Sequence, residues 1–230
     1  MMMTNIHWDE FWPPVKLSLQ VALLSSVLVV ILGLIAAWWM SRLGSFRGKT
    51  FVETVFMLPL VLPPTVVGFL LLVLLGRKSS FGRFIESLFN APIVFSWSAA
   101  VIASVVVAFP LVYQTMKAGF GSVDRELEDA GRSIGASEWQ VFRYITFPLT
   151  FPSFITAYVL GFARSLGEFG ATLMIAGNIP GKTQTIPTAI YIAVDAGNAP
   201  MAWAWTCMMI IISFFMLLLV GRKTVDKTTP

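Results

Sequence analysis

Four stretches of this chain, 17–41, 54–76, 87–116 and 196–221, contain no charged side chain. Each is longer than the roughly 20 apolar residues a helix needs to cross a bilayer core. A chain built this way must bury its backbone polar groups in helices and use lipid as its solvent. Composition agrees: 57% of residues are apolar and 12% charged, against roughly 25% charged in a soluble domain. Most soluble enzymes, disordered scaffolds and disulfide-stapled secreted domains are thereby excluded. The single cysteine, Cys207, has no internal disulfide partner. The basic residues are scattered without a stripe, so nucleic acid is not an expected partner.

Within 87–116 the apolar part begins near Ala91. A further span runs from about 147 to 176 and carries Arg164 and Glu168. The expected spans are therefore 17–41, 54–76, 91–116, 147–176 and 198–221, an all-α membrane bundle. The stretch 183–194 is uncharged but short and carries Pro187. It reads as interfacial or re-entrant, the one candidate for a sixth short helix. Five spans put the two ends on opposite sides. With the C-terminus inside, the inner segments hold ten Lys and Arg and the outer ones five, which the positive-inside rule favours. Residues 1–14 are then an external segment and 222–230 a cytoplasmic tail. His7, Asp9 and Glu10 stand where a cleavable signal would be basic, so none is expected.

Charge is concentrated at 117–143, which holds nine charged residues. Ser122 or Asp124 can cap a helix whose first turns carry Glu126, Glu128 and Asp129, and Gly135 can end it in the left-handed conformation. A second short helix, 138–145, carries an aromatic stripe of Trp139, Phe142 and Ile145 before Pro148. Such a helix–turn–helix is either a docking element for a soluble partner or a connector packed on its own bundle. Gly131-Arg132-Ser133-Ile134-Gly135 also fits G-x-S-x-G. A nucleophile elbow needs a strand-to-helix turn and a histidine base. Here the context is helical, and the only histidine, His7, faces the opposite compartment in this orientation. An intramembrane hydrolase using Ser133 is therefore a poor alternative, and a passive membrane anchor leaves the features inside the spans unexplained.

Those features are prolines and charges. Pro59, Pro63 and Pro64 interrupt the second run, and Pro110 lies in the third. They are either kinks or a broken helix lining a pathway, since irregular backbone at membrane depth survives only where protein or water covers it. Arg164 and Glu168 stand four apart, and so on one helical face. One reading has the pair act on a substrate, the other has it lock neighbouring helices. The small polar residues Thr65, Ser104, Ser165 and Thr172 are the candidates for a lining.

Asp129-Ala130-Gly131, Gly135, and Ile145-Thr146-Phe147-Pro148 stand in register with E-A-A-x3-G-x9-I-x-L-P. This resembles the cytoplasmic "EAA" loop of type I ABC importer permeases. Asp129 for Glu, Gly131 for Ala and Phe147 for Leu depart from the pattern, and Gly131 is expected to loosen its helix by up to about 1 kcal/mol. The stretches 58–64, 163–172 and 177–187 are similar to the oxyanion branch of the family, which imports molybdate, tungstate, sulfate or thiosulfate. A compact chain is more similar to the molybdate members, which pair two identical permease chains, than to the longer sulfate ones, which pair different chains.

The resemblance implies a type I permease domain over 15–221 in a bacterial inner membrane, with a coupling loop at 117–146. It implies as partners a second copy, a dimer of ABC ATPase subunits and a periplasmic or lipid-anchored oxyanion-binding protein. It also implies that ATP and Mg are used by the partner ATPase and no cofactor by this chain, which contains no G-x-x-x-x-G-K-[ST]. The coupling residues would be Glu128, Asp129, Ala130, Gly131, Gly135, Ala136, Trp139, Ile145 and Pro148. Pro59, Pro63, Pro64, Arg164 and Glu168 would belong to the pathway or gate.

Overall fold

A computed structural model describes residues 8–43 and 47–225; His7 and Lys227 lie outside them. Among the described residues the chain is helical throughout, with no strand. The first helix, α1, spans Trp8–Arg42 and is about 50 Å long. It starts nine residues before the expected span, so half of the segment expected to be external, 8–14, is helix. Its buried positions, including Ala22, Ser25, Val29, Gly33 and Ala37, recur every three or four residues, one stripe on one face.

The second apolar run is two helices, α2 at Lys49–Val61 and α3 at Pro64–Leu75, meeting at 113°. The break lies at Leu62 and Pro63, not at Pro59, which stays inside α2. Pro63 and Pro64 have no N–H to continue the ladder, and Pro63 drives Leu62 out of the helical region to ψ 141. A short helix follows, α4 at Ser80–Phe89, and then α5 at Trp97–Gly121. The Ser96 side chain caps α5, so 91–96 is loop rather than the start of the span. The helix runs on through Pro110.

The charged loop forms α6 at Arg125–Ser133 and α7 at Glu138–Val141. A π-helical turn at Phe142–Thr146 joins α7 directly to α8 at Phe147–Leu166. The expected separate helix at 138–145 is thus the first part of a membrane-spanning helix. The π turn explains how the helix passes Pro148: the wider turn removes the need for the N–H that proline lacks and relieves its ring against the previous turn. The expected span 147–176 is also interrupted, because α8 stops at Leu166 and α9 occupies Gly170–Ala176. Two more helices complete the chain, α10 at Ile186–Asp195 and α11 at Ala199–Val225.

α1, α5 and α8 form the centre of the bundle. Gly33 of α1 and Gly161 of α8 both close on Val112 of α5, where an added Cβ would lie 2.7 Å and 2.9 Å from its methyl groups. Small residues at crossings let helix backbones approach where lipid supplies no hydrophobic drive between helices. α10 packs its Ile186, Ala189 and Ala193 among Phe11 and Val15 of α1 and Met201, Ala202 and Trp205 of α11. Ser18 accepts a hydrogen bond from the Ile186 N–H, and the Trp205 indole donates to the Phe11 carbonyl. Four helices are long and apolar enough to cross a membrane, and the bent α2–α3 pair makes up to five. The chain is a multi-pass membrane protein.

Candidate functional site

Two places gather the residues singled out above. The first is the charged loop. Asp124 caps α6 by accepting from the Glu126 N–H. At the other end the Gly135 N–H donates to the Arg132 carbonyl and the Ala136 N–H to the Gly131 carbonyl. Those two bonds form a Schellman ending, which requires the positive φ of +88° that Gly135 supplies. Ser137 and Gln140 then form a capping box that restarts the helix.

A polar network locks this turn. Arg132 binds Asp129 at 2.6 Å, Glu138 at 2.7 Å and Glu128 at 3.3 Å. Glu128 accepts in turn from the Thr146 hydroxyl at 2.5 Å. Glu138 also pairs with Arg42 at the end of α1, whose guanidinium lies over the Trp38 ring. Hydrogen bonding to Asp129, more than that to Glu128, pushes the already high pKa of Arg132 further up. The network itself lines a cavity of about 630 Å³, with Lys49, Lys117 and Arg125 also in the wall.

Gly131 does more than lower helix propensity. It is buried, and a Cβ there would stand 2.7 Å from Cδ1 of Ile145. The departure from alanine makes room for a close contact between α6 and the π turn. Ala130 and Pro148 are exposed, and Ala136 is half-buried. The tip of the loop presents apolar side chains to solvent: Ile134 is 87% exposed and Trp139 62%. Phe142, by contrast, is packed among Trp38, Phe120, Trp139 and Phe147.

Ser133 lies in the last turn of α6, and its hydroxyl donates to the Asp129 carbonyl, an ordinary helical back-bond. Arg42, Arg132, Glu138 and Thr146 did not figure among the expected coupling residues. Arg132 was the discoverable one, since it stands three and four residues after Asp129 and Glu128.

The second place is a crossing of the two broken spans. α3 packs against α9, and the backbones touch: a Cβ on Gly68 would lie 2.7 Å from Cα of Ala171, and one on Gly170 would lie 3.1 Å from Cβ of Pro64. The break at Leu62–Pro64 therefore sits beside the break at Gly167–Phe169. Arg164 and Glu168 form an ion pair at 2.8 Å, with Glu168 1% and Arg164 30% exposed. They do not share one helix. Glu168 lies beyond the end of α8, where its other oxygen accepts from the Ala171 N–H at 2.8 Å. The carboxylate thus serves a cation and an orphan donor of the next helix at once.

Pro63, Pro64 and Thr65 are exposed on the surface of the single chain, whereas Ser104, Ser165 and Thr172 are buried. The four candidate lining residues therefore do not share a surface. No residue of α2 is buried, and Val61 at the break is 80% exposed.

Residues 29–222 match the family described as "Binding-protein-dependent transport system inner membrane component". The YvgM protein of Bacillus subtilis (strain 168), which bears the name of a molybdenum transport system permease, is 56% identical over 96% of both chains. The molybdenum transport system permease protein ModB of Haemophilus influenzae is 45% identical over 89% of this chain and 90% of its own. Among solved structures, a chain of a bacterial ABC transporter that imports alginate superposes with a TM-score of 0.76 at 16% identity, over 99% of this chain and 86% of that one. The fold is that of the type I ABC importer permeases. This chain belongs to the family of inner membrane components of binding-protein-dependent transport systems.

Proposed function

We propose that this protein is the permease subunit of an ATP-driven importer of molybdate, that two copies enclose the pathway, and that α6 and α7 receive the force of a separate ATPase dimer. The observation that carries the proposal is the loop tip. Ile134 and Trp139 stand exposed on a helix–turn–helix that a polar network ties to α1 and α8. Exposed apolar side chains on a rigid, charged platform suit a protein partner better than solvent. Arg42 and Thr146 then carry displacement of the tip to two spanning helices, and the bundle swings as a body between inward-open and outward-open forms.

Molybdate is the preferred cargo because relatives at 56% and 45% identity bear the name of molybdenum permeases. Ten inner basic residues against five outer ones support an external N-terminus and a cytoplasmic C-terminus. ATP and Mg belong to the ATPase partner, and a binding protein delivers the anion from outside. The paired breaks at Pro63 and Gly167 suit a gate, as discontinuous helices do in other transporters. Arg164 is neutralised by Glu168, which favours a structural role over capture of a dianion.

The test is purification of the chain with its ATPase, reconstitution in vesicles, and assay of ATP hydrolysis with the cognate binding protein. Stimulation by molybdate-loaded binding protein is the expected result. Stimulation by sulfate alone would move the chain to the sulfate branch. Failure to bind any ATPase would overturn the proposal.

A further inference from the structure

One surface is left without a role by the transport reading. α4 places Phe81, Phe84, Ile85 and Leu88 at i, i+3, i+4 and i+7, so the four share one side of the helix. Ile85 packs into the core beside α3 and α5. Phe81, Phe84 and Leu88, on the neighbouring arc, touch no core and are exposed by 50%, 64% and 66%. The opposite arc is polar, with Arg83, Glu86 and Ser87.

Position is the second observation. α3 is apolar to its end at Leu75, and α4 starts five residues later. Gly82 rests against the Gly76 and Leu75 carbonyls, so closely that any side chain there would collide with them. α4 is thereby clamped at the depth where a spanning segment leaves the hydrocarbon. α5 separates it from the charged loop, so it lies at the opposite face of the membrane. Charge is the third observation. Arg77 is neutralised by Glu86 at 2.8 Å, while Lys78 and Arg83 are exposed and have no ion pair among the described residues. Lys78, before the start of α4, and Arg83, on its polar arc, flank the apolar stripe, a charge pattern that complements an anionic lipid surface.

We propose that α4 is an interfacial anchor: Phe81, Phe84 and Leu88 enter the boundary between headgroups and acyl chains, and Lys78 and Arg83 hold anionic headgroups. Through Gly82 the anchor sets the height of α3, and hence of the half-helix that carries one side of the paired break. The inference needs only the membrane-spanning reading and stands whether or not molybdate is the cargo.

Single-cysteine variants of the full chain, held in its ATPase complex in lipid vesicles, test this. In a Cys207→Ser background, Phe84→Cys and Ser87→Cys are each given a nitroxide, and collisions with oxygen and with a water-soluble nickel chelate are measured. The expected result is loss of nickel access at 84 with oxygen access kept, and free nickel access at 87. Leu88→Cys supplies a second apolar position if the label at 84 prevents assembly. Adding phosphatidylglycerol to phosphatidylcholine vesicles should deepen the label, and Lys78→Gln with Arg83→Gln should abolish that dependence. Nickel access at both 84 and 88 would overturn the anchor. Protection of both positions from oxygen and nickel alike, as by a second copy or a docked binding protein, would overturn it too. Indifference to phosphatidylglycerol would overturn the headgroup contact.

Discussion

The charged loop and the crossing of the broken spans are held by opposite means. In the loop, Arg132, Glu128, Asp129, Glu138 and Arg42 reach across water-accessible space and pair, and one glycine shapes the turn. At the crossing, backbone lies on backbone at Gly68 and Gly170, and a single ion pair closes the remaining polar gap. The difference follows from the solvent. Exposed ion pairs are weak, so an element in water needs several of them plus good caps. In lipid a polar group without a partner is costly, so the chain uses few and brings its helices together through small residues. The loop is consequently adjustable, and the crossing is intolerant of added volume.

The sharpest way to break that contrast is Gly68→Val. Its Cβ would meet the Ala171 backbone rather than a yielding side chain, so stability should fall by about 3 kcal/mol or more, read as thermal unfolding of the detergent-solubilised complex. A mild effect would mean that α3 and α9 are free to separate. Next in size is Glu168→Ala, which strands Arg164 and uncaps Ala171. Breaking a buried pair costs about 3–5 kcal/mol, and the partial exposure of Arg164 brings the expected loss nearer about 2 kcal/mol. Glu168→Gln keeps an acceptor for the Ala171 N–H and should recover about 1 kcal/mol of that. Equal stability of the two variants would show that the cap contributes nothing. Exchanging the charges should not rescue function, because arginine at 168 has donors only.

The loop should respond differently. Gly135→Val finds open space around its Cβ but must hold a φ of +88°, a conformational cost of roughly 1–2 kcal/mol. The variant is expected to insert and bind ATPase yet transport poorly for the ATP it hydrolyses, measured as uptake per ATP in vesicles. Normal coupling would remove the turn from the mechanism. Smallest of all is Gly131→Ala. Only the flexible tip of Ile145 must move, and better helix propensity offsets the contact, so the melting temperature should change by no more than about 1 kcal/mol allows.

Much of the loop was legible because its signals are local. The acidic first turns of α6, the stop at Gly135 and the stripe of Trp139, Phe142 and Ile145 are all read within a few residues. What escaped was long-range: Arg42 joins Glu138 across 96 positions, and nothing near Arg42 announces its partner. The same holds at the crossing. Pro63 and Pro64 made a break in the second run readable, but the run 147–176 offered no proline at its own break. Arg164 and Glu168 at a spacing of four therefore suggested an unbroken helix.

By itself the sequence determined the solvent, the number of apolar runs and the place where charge gathers, because each depends only on which residues are near one another in the chain. The tertiary structure decided that the break at Pro63 faces the break at Gly167, that Gly131 marks a close helix contact, and that Glu168 serves two helices. Those are distances between residues far apart in sequence, set by how closely helices approach. That approach depends on the absence of side chains at Gly68 and Gly170, and only a folded neighbour gives such an absence a meaning.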